Sequence, residues 1–179
     1  MAIGSTILNF SIQLADIDRG VYEDFSLRVA RHPSETEAFM VTRVLAYCLE
    51  FQEGIDFGGG VSTTDEPTLW VKDLTGKVTS WIEIGAPDAA RMHFGSKLAD
   101  YAAVYTHRDP AKVLRAWEGK TIYNAEALVV HSFDSKFIDD LAGALDRRNT
   151  MSVSRTEGTL YVELNGASFE TAIGSHPAA

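Results

Sequence analysis

A chain of 179 residues with 45% hydrophobic and 23% charged residues is long enough to bury a core without disulfide or metal staples, and it reads as one domain over residues 1–179. Its net charge of −9 opposes long-range attraction to nucleic acid unless basic groups are concentrated locally. The lone Cys48 excludes an internal disulfide or a thiolate zinc site, no apolar run reaches the roughly 20 residues of a membrane span, and MAIGSTILNF lacks the marks of a secretory signal; a soluble cytoplasmic protein with no membrane partner is expected.

From Ser5 to Asp16 apolar and polar residues alternate, with Ile7, Phe10, Ile12 and Leu14 as the apolar set and an irregularity near Asn9, which predicts a strand. The turn DIDRG leads into a second strand, Tyr22 to Arg31, so the opening is a β-hairpin. His32-Pro33-Ser34 stops it, and Ser34 with Glu37 has the spacing of a capping box for a helix running to about Gln52. The glycine-bearing loop Gly54 to Thr64 is expected to be flexible. A second hairpin follows, Thr68 to Lys72 and Lys77 to Ile84, then a helix from Asp88 to about Ala99 and a buried strand from Tyr101 to Thr106. A helix over Pro110 to Trp117, a strand over Ala125 to Ser132 and a helix from Asp134 or Ser135 to Leu145 come next. A last hairpin turns at Glu157-Gly158, and the SHPAA tail is expected to fray. This order predicts an α+β fold, a mixed β-sheet flanked by helices.

The chain lacks a phosphate-binding G-x-x-x-x-G-K-[ST] loop, a dinucleotide G-x-G-x-x-G, an H-E-x-x-H zinc motif and a G-x-S-x-G nucleophile motif. What remains is acidic. In TSWIEIG, strand alternation puts Trp81, Glu83 and Gly85 on one face, and hairpin pairing carries Asp65 and Glu66 toward Glu83. Converging carboxylates suit a hard dication, Mg²⁺ or Mn²⁺. If the next helix doubles back along its strand, Lys97 lies about 13 Å into it. Glu83 lies about 13 Å before the turn, so the two come level. Arg91 would sit nearer Gly85, where it could bind a phosphate or carboxylate. Against these stand plainer roles. Glu35 and Glu37 suit a helix start, Asp65-Glu66-Pro67 a turn, and Arg91 and Lys97 a solvated helix face.

The segments RHPSET (Arg31 to Thr36), DEP (Asp65 to Pro67), WIEIGAPDAAR (Trp81 to Arg91) and VYTHR (Val104 to Arg108), in this order and spacing, closely resemble the bacterial YaeQ family. The resemblance spans nearly the whole chain. It implies a variant of the restriction-endonuclease-like PD-(D/E)XK nuclease fold. Carried over, Asp65 or Glu66 matches the first strand acid, Glu83 the second and Glu35 the helix acid, so Glu35, Asp65, Glu66 and Glu83 become the metal ligands. Where the pattern sets a lysine the chain has Gly85; Lys97 is the residue that could replace it, making Asp65, Glu83 and Lys97 the catalytic set. Arg31, Ser34 and Arg91 are then expected to bind substrate. Two functions follow as expectations: a Mg²⁺- or Mn²⁺-dependent phosphodiesterase acting on nucleic acid, or a non-catalytic module of the same fold that binds a protein or nucleic-acid partner.

Overall fold

The computed structural model describes residues 4–60 and 63–179. The opening hairpin forms as expected: β1 (Thr6–Asp16) pairs antiparallel with β2 (Val21–Arg31) along its whole length. Leu8, Phe10, Ile12, Leu14 and Asp16 all point inward and are buried. The alternation is therefore unbroken at Asn9, and Leu8 rather than Ile7 belongs to the inward set. The helix after the hairpin, α1, spans Glu37–Leu49, and its N-cap is Thr36, whose hydroxyl accepts the Phe39 N–H at 3.0 Å. The expected Ser34–Glu37 capping box does not form, because the cap sits two residues later and Ser34 turns instead to His32.

The glycine loop is more ordered than its composition predicts. It contains β3 (Ile55–Phe57), paired antiparallel with β4 (Leu69–Lys72). A Cβ at Gly58 would come within 2.2 Å of the Pro67 carbonyl, so its glycines serve close backbone packing there. The part of the flexible-loop expectation that falls on residues 61 and 62 lies outside the described residues.

The hairpin continues with β5 (Val78–Ile84), and α2 (Ala89–Leu98) follows, capped by the Asp88 carboxylate on the Arg91 N–H. Then come β6 (Tyr101–Thr106), α3 (Pro110–Arg115), β7 (Val129–Ser132) and α4 (Ser135–Gly143). The expected strand from Ala125 starts later, because Ala125–Ala127 form a 3₁₀ turn. The chain ends with β8 (Arg148–Thr156), β9 (Thr159–Leu164), β10 (Ala167–Ala172) and β11 (Gly174–Pro177). The tail does not fray over Gly174–Pro177, since β11 pairs with β7.

Two mixed sheets result where one was expected. The first has the order β10-β9-β8-β1-β2, the second β11-β7-β6-β5-β4-β3. In the second, β5, β6 and β7 run parallel. One core joins the inward faces of both sheets through α1 and α4; it includes Phe10, Leu45, Ile82 and Ile138. A second core, with Trp81, Met92, Val104 and Val130, fills the other face of the second sheet under α2. That sheet is thus covered on both faces, so β5 and β6 bury nearly every side chain. The first sheet keeps one solvated face and alternates. No helix among the described residues is long and apolar enough to cross a membrane.

Where α1 ends, a buried polar network ties the layers together. Asp16 is fully buried and receives Arg155 Nη2 at 2.5 Å and Arg19 Nε at 2.6 Å. Arg19 also donates to the Cys48 and Phe51 carbonyls, which closes the carboxyl end of the helix. Beside it, buried Glu50 accepts the Tyr105 and Tyr101 hydroxyls at 2.8 and 2.9 Å.

Candidate functional site

Glu83 lies near the carboxyl end of β5, the strand that pairs parallel with β6 and antiparallel with β4, on the face that also carries Trp81. Since α2 covers this face, Glu83 is only 1% exposed. Such a carboxylate must be paired or saturated with hydrogen bonds. It is both. The β4–β5 register, continued one step beyond Leu69–Ile82, sets Thr68 opposite Glu83. The Thr68 N–H and hydroxyl donate to Oε1 at 2.8 and 3.1 Å. The other oxygen receives Arg91 Nε in a short ion pair.

Arg91 reaches further. Its Nη1 donates to the Thr63 carbonyl at 2.9 Å, and Nη2 donates to the Glu66 and Gly60 carbonyls at 2.6 and 3.0 Å. One guanidinium therefore staples the loop between β3 and β4 to β5 and α2, using the fork of donors that suits arginine better than lysine. Burial lowers the Arg91 pKa from its ordinary value.

The acids predicted to share a metal are arranged otherwise. Glu83 does face the DEP segment, but it meets the backbone of that segment through Thr68 and Arg91. Asp65 is exposed and Glu66 half-buried. Glu35 is half-buried and accepts from Arg43 Nη2 and from the His32 N–H, both at 3.2 Å; burial pushes its carboxyl above the ordinary range against the pull of Arg43. Among the described residues no group of His, Cys, Asp or Glu is placed to hold a metal ion together. The donor set does not fit Mg²⁺ or Mn²⁺, because Glu83, the one deeply buried acid of the four expected ligands, is already matched by a cation and two neutral donors.

The cationic residues also differ from expectation. Gly95 packs on Trp81 so closely that an added Cβ would lie 2.4 Å from the ring. Lys97 is therefore past Trp81, exposed in the last turn of α2, and the cation that comes level with Glu83 is Arg91. The equal-length estimate failed because the turn at Pro87 and the long arginine side chain bring the first helical turn back over the strand. Arg31 donates to the Glu35 carbonyl at 2.9 Å, and the Ser34 hydroxyl lies 2.6 Å from His32 Nδ1.

Next to the stapled loop is an open cleft of about 470 Å³, walled by Arg28, His32, Glu35, Phe39, Arg43 and Phe57, with Gly58 to Gly60 and Thr68 as its floor. Arg43 lies 5.1 Å over the Phe57 ring and donates to the Ala30 carbonyl. Thr68, Arg43 and Phe57 were not singled out in the sequence. Only Thr68 had a local signal, as the first residue after Pro67 on the strand facing Glu83.

The family model described as YaeQ protein matches residues 1–173. The chain is 30% identical over 166 residues to the YaeQ protein of Escherichia coli (strain K12), covering 90% of each, and 30% identical over 164 residues to that of Salmonella typhi. Its structure is similar to the crystal structure of the YaeQ protein from Pseudomonas syringae, with a TM-score of 0.85 and 33% identity over 96% of this chain and 95% of that one. For the YaeQ protein of Xanthomonas axonopodis pv. citri the TM-score is 0.86 at 29% identity, with 98% and 99% covered. By sequence and by structure, the chain belongs to the YaeQ family.

Proposed function

We propose that the chain is a non-catalytic module of the PD-(D/E)XK nuclease-like type, in which the carboxylate site carries out no phosphodiester chemistry and the neighbouring cleft receives a partner protein. The observation behind this reading is the saturation of Glu83, whose oxygens are taken by Thr68 and Arg91. A guanidinium occupies the place where a nuclease-like site would need a dication, and bringing an ion of charge +2 beside it is opposed by repulsion.

The cleft favours a segment with an acidic group and an apolar side chain. Arg28 is exposed at its wall and has no acidic partner among the described contacts, while Phe39 and Phe57 offer apolar surface. The net charge of −9 supports a protein over nucleic acid.

Calorimetric titration of the full chain with Mg²⁺ and Mn²⁺, together with cleavage assays on single- and double-stranded DNA and RNA, tests the proposal. No millimolar or tighter cation binding and no cation-dependent cleavage are expected. Cleavage that requires the cation and disappears in Asp65→Asn, a substitution at an exposed position, would restore the phosphodiesterase reading.

A further inference from the structure

A second polar site, sharing no lining residue with the cleft among the described residues, lies at the carboxyl ends of the parallel strands β6 and β7. Ser132 is the last residue of β7, and its Oγ stands 3.0 Å from Nε2 of His176 on β11. In the β7–β11 register Ser132 faces Gly174, and His176 lies two residues further along on the same face. A Cβ at position 174 would come within 2.3 Å of Ser132 Oγ and 2.9 Å of His176 Nε2. The serine and the imidazole can meet only because that position has no side chain.

The pair borders an open groove of about 500 Å³, within the range of roughly 300–1,000 Å³ typical of small-ligand sites. Pro110, Phe133, Ala172 and Ile173 give it apolar walls. Carboxyl ends of parallel strands are the usual place for ligands in α/β sheets. The first turn of α4 borders the same space through Ser135. There the Asp134 carboxylate takes the Phe137 N–H. The N–H groups of Ser135 and Lys136 belong to the turn that has no acceptors within the helix.

We infer that Ser132 and His176 form a nucleophile and general-base pair that hydrolyses short-chain carboxylic esters, an inference that does not rest on the reading of the acid site. A hydroxyl in contact with an imidazole nitrogen is the arrangement that activates serine for acyl transfer. Ser132 Oγ bonds to the ester carbonyl carbon while His176 Nε2 takes the hydroxyl proton and the carbonyl π pair moves to oxygen. That oxyanion is drawn to the free N–H groups at the start of α4. Collapse breaks the bond to the alcohol oxygen, which leaves with the proton from Nε2. Water, deprotonated by the same nitrogen, then attacks the acyl-serine, releasing the carboxylic acid and restoring the hydroxyl.

The test is to treat the full chain with a fluorophosphonate probe, map the adduct by peptide mass spectrometry, and measure hydrolysis of 4-nitrophenyl acetate and butyrate. A single adduct at Ser132 is expected, absent in Ser132→Ala and formed at least about tenfold more slowly in His176→Gln, with ester turnover falling in parallel. Labelling of the unaltered chain needs no variant, so no adduct at Ser132 overturns the proposal however the variants fold. Turnover that persists at the wild-type rate in a folded Ser132→Ala protein overturns it as well, and the contact is then only a cross-strand pin for β11.

Discussion

Replacing Arg91 by methionine tests the central feature of the candidate site. Glu83 is 1% exposed, so the variant would hold a carboxylate that keeps Thr68 but loses its counter-charge. Breaking a buried pair from one side costs about 3–5 kcal/mol. The lower half of that range is expected, because the Arg91 side chain is 19% exposed and water can reach part of the space it leaves. The loop carbonyls of Gly60, Thr63 and Glu66 also lose their donor; those of the half-buried Thr63 and Glu66 can turn to water, while Gly60 is buried. For a chain of this size a loss of about 3–4 kcal/mol corresponds to a fall in Tm of roughly 6–16 °C. The assay is urea unfolding of four proteins, wild type, Arg91→Met, Glu83→Leu and the double variant, fitted with a common slope. The double variant should recover much of the loss, since it removes both charges from the interior, and the coupling should approach the upper end of about 0.5–3 kcal/mol. A cost below about 1 kcal/mol for Arg91→Met, or a coupling near zero, would refute the idea that this pair holds the loop to the sheet.

Three further outcomes are expected. Burial, aided by Arg155 and His176, pushes the His131 imidazole down to about 4, so the fold holds it neutral; its contribution to stability is complete above the unfolded value of about 6.5 and is lost as pH falls through about 4. An NMR titration showing the His131 ring protonating near 6.5 in the folded protein would contradict this. Burial raises the Glu50 carboxyl despite its bonds from Tyr105 and Tyr101, and a raised acid contributes fully below its unfolded value of about 4.3 and loses that contribution as pH rises through the folded value. Glu50→Gln should thus gain on the wild type, by urea midpoint, between pH 4 and pH 7; an unchanged difference is the opposing result. Gly95→Ala should destabilise by about 1–3 kcal/mol through its clash with Trp81, although alanine favours an exposed helix by about 1 kcal/mol; a rise in Tm would mean that the ring moves aside freely.

Local chemistry was sufficient for much of the fold. The hairpin of β1 and β2, the paired β4 and β5, and α2 with its Asp88 cap were legible because period-two alternation, turn residues and capping side chains act within a few residues. The site was legible in part: Glu83 was identified, Trp81 was set on its face, and the DEP segment was brought to it, whereas Gly85, expected on the same face, lies past the end of β5 and turns toward Phe39 of α1. Other features depended on partners far along the chain. Gly174–Pro177 is too short and polar to declare itself a strand, and it becomes one only because β7 offers an edge. The 3-residue β3 likewise exists through β4. Whether Glu83 would bind a dication or an arginine was also beyond local pattern. A buried carboxylate demands a cation, but which cation reaches it depends on how α2 returns over β5, and the tertiary structure gave that place to Arg91 rather than to Lys97.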